Sequence, residues 1–152
     1  MEILIAGCLV VLTALVHAAG FSALIRILIR SRILTKSGFP LATALVIGVT
    51  CWLILLHSAE ICLWGFFYWW RGSFPDAESA FYFSGVTYTT LGYGDLVLPK
   101  PSRMLAPLEA LTGTLVYGLS TGLFFAIASQ WIGNWTRRLS VPESDATNPP
   151  NT

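Results

Sequence analysis

Three stretches of this chain contain no Asp, Glu, Lys or Arg: residues 3–25, 37–59 and 110–136. As a helix rising about 1.5 Å per residue, each is long enough to cross a hydrocarbon core of about 30 Å. The remaining composition agrees, with 55% hydrophobic residues and only 11% charged. An ordinary soluble domain carries roughly 25% charged residues, and a chain of 152 residues has too little interior to hide the surplus apolar surface. A soluble enzyme does not fit, and a net charge of +1 supplies no basic field for nucleic acid. The chain reads as an all-α membrane protein with three transmembrane helices.

Charge asymmetry sets the expected topology. The first span is followed by Arg26, Arg30, Arg32 and Lys36, which belong on the cytoplasmic side. Ile3–Ile25 lacks both a positive leader and a small-residue cleavage site, so it reads as a retained helix with the N-terminus outside. A second helix is expected over 40–70, ending in the aromatic belt Trp64–Trp70, and a third over 103–135. Arg137 and Arg138 then join the cytoplasmic cations, while Arg71, Lys100 and Arg103 stay outside. This describes a multi-pass protein of the plasma or inner cell membrane, bathed in lipid, with a cytoplasmic C-terminus. Residues 1–36 form an additional N-terminal helix and a basic turn. The polar, Pro-containing tail 139–152 is expected to be disordered. Cys8, Cys51 and Cys62 lie in apolar spans without metal-ligand spacing and read as packing residues.

The segment between the second and third spans is apolar yet too short to cross. Asp76 to Thr89 covers only about 20 Å as a helix. Ser73, Pro75, Asp76 and Glu78 are helix-start residues, so a short helix is expected over 74–89. It leads into Thr90-Leu91-Gly92-Tyr93-Gly94-Asp95. A helix that dips in and returns as extended backbone is a re-entrant loop, tolerated at membrane depth only where it lines a cavity or is buried in protein.

That motif, with Thr89 before it, resembles the selectivity filter of the potassium-channel pore family, of the prokaryotic type with one pore loop per subunit. The resemblance covers about residues 41–132 and leaves the first helix unexplained. It implies a pore domain over 37–138, with outer helix 40–70, pore helix 74–89, filter 90–95 and inner helix 103–135. It also implies a homotetramer, since a cage of backbone carbonyls needs about four copies of the loop; carbonyls replacing the hydration shell of potassium are the established account for this family. Potassium ions would be held at Thr90, Leu91, Gly92 and Tyr93, with Gly94 completing the filter. No other cofactor, no small-molecule substrate and no nucleic acid is implied. Gly92 and Gly94 permit the required backbone alternation, and Thr90 adds a hydroxyl at the inner end. Tyr93 is expected to point into an aromatic cuff of Tyr82, Phe83 and Tyr88. Leu91 replaces the commoner Val. Val86 stands where some members carry a glutamate paired with the aspartate after the filter, so Asp95 needs another partner, Tyr82 or Arg103.

The third helix resembles the pore-lining inner helix. Thr114, Gly118, Thr121, Phe125 and Ser129 recur at helical spacing as a wetted face, with Phe125 as a hydrophobic constriction. The alternative is an interhelical hydrogen-bonding seam. Gly113 or Gly118 is a candidate hinge, close helix packing being the other reading. His57 and Glu60 on the second helix and Glu109 on the third are intramembrane ionisable groups, which mark function by default. Glu60 and Glu109 are expected to support the filter from behind, by satisfying pore-helix donors or sharing a proton; proton or divalent-metal sensing is the alternative. His17 reads as a hydrogen-bonded packing residue. The functional reading is a passive potassium-selective channel and not an enzyme. A nonselective cation channel of the same architecture and a non-conducting membrane scaffold remain the rivals.

Overall fold

The computed structural model describes residues 2–31 and 39–139. Four α-helices account for most of them: α1 Glu2–Ser31, α2 Phe39–Trp70, α3 Ala77–Tyr88 and α4 Leu105–Leu139. Three are long and apolar enough to cross a membrane; α3 is the short one. Arg32, Lys36 and the tail 140–152 lie outside the described residues.

Helix α1 is longer than its uncharged core, so Arg26 and Arg30 sit on its last turns rather than after it. The reason is packing. Leu24 and Leu28 are buried in a cluster with Leu45, Val49 and Ile127, which holds the last two turns helical. Arginine tolerates that position because its long stem can carry the charge to the interface.

Helix α2 closes with a glycine cap. Gly72 has φ +68°, and the Gly72 and Ser73 amides donate to the Trp69 and Tyr68 carbonyls. This paired arrangement satisfies carbonyls that the helix end would otherwise leave open. Asp76 then caps α3, its carboxylate accepting from the Ser79 amide at 2.7 Å. A 3₁₀ turn, Lys100–Ser102, leads into α4.

A second apolar cluster joins all four helices, with Leu9, Trp64, Tyr68, Phe83, Tyr88 and Val116 among its members. The two clusters sit toward opposite ends of α1 and α2. Between them lies a band of buried polar residues: His17, His57, Glu60 and Ser120. Trp64 Nε1 donates to Thr13 Oγ1 at 3.0 Å, and Trp52 Nε1 donates to the Gly20 carbonyl at 3.1 Å. These two bonds fix α1 against α2 in one register, since a polar group left unpaired in an apolar setting is costly.

Candidate functional site: the re-entrant loop and its supports

The loop after α3 turns sharply. The Thr89 amide donates to Gly85 O, Thr90 to Thr87 O, and Gly92 to Val86 O at 3.2 Å. Three alternate residues have positive φ: Thr90 at 63°, Gly92 at 56° and Gly94 at 78°. The glycines adopt this region freely. Thr90 does not, because a β-branched residue there is strained by about 1–3 kcal/mol. It occupies the position after the pore helix where glycine is the usual solution.

Residues 90–95 are all exposed in the single chain, with Leu91 and Tyr93 at 58% and 68%. Backbone exposed at membrane depth must face protein or a water-filled cavity. Asp95 finds its partner in Tyr82, whose hydroxyl donates to Oδ2 at 2.8 Å; this bond raises the Tyr82 hydroxyl above the ordinary phenol range. Arg103 instead donates from Nε to the Leu98 carbonyl. Val86 lines a cavity of about 350 Å³ behind the loop, together with Thr87, Gly92 and Pro107.

The expected aromatic cuff is corrected. Phe83 packs on Tyr68 and Phe74, with ring centroids 5.3 and 4.9 Å away. Tyr88 is fully buried and turned toward His57 and Tyr117. Tyr88 faces back into its own chain, and Phe83, at the edge of the loop-side cavity, packs on Tyr68 of α2, because α2 and α4 both pack against α3. Tyr82 alone of the three is exposed near Tyr93.

Two buried carboxyl groups stand behind α3. Glu109 accepts from Ser84 Oγ at 2.6 Å and from the Tyr68 hydroxyl at 2.7 Å. Glu60 accepts from the Tyr88 hydroxyl, from His17 Nδ1 at 2.9 Å and from His57 Nδ1 at 3.1 Å. Ser84 and Tyr88 are one helical turn apart on α3, so each carboxyl group holds one donor of the pore helix. The bonds come from hydroxyls and imidazoles rather than from one carboxyl group to the other. His17 is hydrogen-bonded and buried, as expected, and its partner is Glu60, 43 residues away in the sequence, so α1 meets the same carboxyl group that holds Tyr88.

On α4, Thr114, Gly118, Thr121, Phe125 and Ser129 are all exposed, with Phe125 at 72%. The Thr114 and Thr121 hydroxyls donate to carbonyls one turn back, so no seam to another helix of this chain uses them. Gly113 is different. A Cβ built there would run into the Tyr88 carbonyl, so in this structure Gly113 is a contact glycine that lets α4 touch the end of α3. Gly118, by contrast, has open space around it.

A family model described as an ion channel, that of the two-transmembrane potassium-channel pore family, matches residues 42–130, more than half of the chain. The chain belongs to this family. Comparison with curated proteins and with solved structures returns no match. The match takes in most of α2, all of α3 and the loop, and most of α4, while α1 lies before it. The protein is thus a multi-pass membrane channel whose family pore carries one extra helix, bound to it through Glu60, Thr13 and Gly20.

Proposed function

We propose that the protein is a potassium-selective channel in which four copies surround one axis and residues 90–94 form the filter. The observation that carries this reading is the alternation of positive φ at Thr90, Gly92 and Gly94 at the end of a capped re-entrant helix. A chain alternating in this way can turn successive carbonyls to one side, and a ring of such carbonyls replaces the hydration shell of a cation without fixed charge. The exposed loop supports the tetramer, because neighbouring copies would cover it. The α3 C-terminus adds a partial negative charge facing the cavity, which favours a cation. Six cations on the proposed inner side against three outside support a topology with the N-terminus outside. Reconstituted in liposomes, the channel should give a reversal potential that follows the potassium gradient when sodium replaces potassium on one side. Equal permeability to the two ions would replace this reading with a nonselective channel, and no flux would leave a scaffold.

The inner gate follows from the exposed face of α4. Phe125 lies one turn beyond Thr121 and three beyond Thr114, so the three share a face. Four phenyl rings near the cytoplasmic end would close the path by dewetting. Phe125→Ala should raise the resting potassium leak, and Phe125→Ser should raise it at least as much. Cysteine at this position should be modified from the cytoplasmic side in open channels. Parental conduction in both variants would place the gate in the filter.

A further inference from the structure

We propose that His17, His57 and Glu60 form a binding site for a divalent first-row cation of the zinc type, clamping α1 to the outer helix of the pore. Each residue offers one ligand atom, and these atoms lie within 4.8 Å of one another, all three residues being buried. His17 Nδ1 and His57 Nδ1 approach the two oxygens of a single carboxyl group at 2.9 and 3.1 Å. Bonds of 2.0–2.1 Å to a tetrahedral ion set neighbouring ligand atoms about 3.4 Å apart. The present spacing reaches that geometry by side-chain adjustments of about an ångström or less.

The donor set selects the ion. Two imidazoles and one carboxylate, with a fourth position open, suit zinc or cobalt; magnesium and calcium demand oxygen ligands. The surroundings also suit a metal site, because ligating histidines use their second nitrogen to fix ring orientation. His57 Nε2 lies 3.2 Å from Ser120 Oγ, which can accept from Nε2–H once Nδ1 is metal-bound. Tyr88 orients the Glu60 carboxyl group. The two imidazole rings are stacked, with centroids 5.6 Å apart, which restrains both. Only the Glu60–Tyr88 bond reaches the pore helix, so the convergence of both imidazoles on one carboxyl group is left for a ligand to explain; among the described residues His17 Nε2 is buried without a partner. A cavity of about 240 Å³ lined by Thr50, His57, Tyr117, Ser120 and Thr121 provides a route to the His57 ring.

Binding does not rest on the conduction reading, but its consequence for current does. An ion on Glu60 loads the carboxyl group that holds the Tyr88 hydroxyl, and Tyr88 is two residues before Thr90. The test uses the full chain purified in detergent and stripped with a chelator. Titrated cobalt(II) should give the intense visible bands of a tetrahedral site at one ion per chain, displaced by zinc, and zinc should raise the melting temperature. His17→Gln and His57→Gln, which can still hydrogen-bond to Glu60, should each weaken cobalt binding by at least about tenfold. Should a variant fail to assemble, the parental titration decides alone. Absence of the bands, binding unchanged in both Gln variants, or a melting temperature that follows pH but not zinc would each overturn the site; the last would make the cluster a proton switch. Liposome flux with and without zinc then reads the effect on conduction separately, so failure of the channel reading leaves the binding result standing.

Discussion

Alanine at Gly92 or Gly94 is expected to silence the channel while the chain still inserts and assembles. The two residues have φ of 56° and 78°, and a Cβ built on either meets nothing within 4 Å. The effect therefore does not come from a clash. An L-residue in left-handed conformation costs about 1–2 kcal/mol, and the peptide escapes by rotating out of positive φ, which swings its carbonyl off the axis. In four copies the penalty exceeds the roughly 3 kcal/mol that corresponds to 100-fold. Potassium flux should fall by at least about that factor, with size-exclusion behaviour unchanged. Thr90 supplies the control. It already bears the strain as a β-branched residue at φ 63°, so Thr90→Gly should leave stability equal or higher while weakening selectivity, because the hydroxyl is lost. Glycine variants at 92 and 94 that conduct at the parental level would remove the alternating backbone from the mechanism.

The elements were legible in the sequence because each rests on local chemistry. Uncharged runs make the spans, Asp76 and Glu78 open α3, and Gly92 and Gly94 announce a backbone that few other residues adopt. The side to which a residue turns was less accessible. Tyr88 belongs by sequence to the aromatic surroundings of the filter, yet it points the other way because α2 and α4 cover that side of α3 and Glu60 accepts its hydroxyl. His17 lies on a helix with no charged residue between Glu2 and Arg26 to suggest a partner; only the docking of α1, fixed by Trp64 on Thr13 and Trp52 on Gly20, brings it to Glu60. Thr90 carries a local signal of its own. It stands just after the helix at the position where glycine is usual, so its positive φ could have been read from the end of α3. The length of α1 was hidden for another reason: Arg26 looks like a boundary, while Leu24 and Leu28 on its buried side carry the helix past it.

Gly113 and Gly118 look interchangeable as sequence, and the structure separates them into opposite predictions. At Gly113 a methyl group would overlap the Tyr88 carbonyl, with the Tyr88 ring also close at 3.3 Å. The obstacle is backbone at the end of α3, anchored by the Tyr88 bond to Glu60 and by Ser84 on Glu109, so it cannot yield as a side-chain tip can. Gly113→Ala should then destabilise the fold by about 1–3 kcal/mol. The displaced end of α3 carries Thr89 and Thr90 with it, so potassium selectivity should degrade together with thermal stability. At Gly118 nothing lies within 4 Å, and alanine is the better helix former by about 1 kcal/mol. Gly118→Ala should leave the melting temperature equal or higher and selectivity unchanged. If α4 bends at this point to swing Phe125 away from the axis, a stiffer helix lowers open probability, and that change should appear alone. Loss of stability at 118, or tolerance of alanine at 113 in both assays, would mean that α4 meets the pore helix in a different register from the one that brings Gly113 against Tyr88.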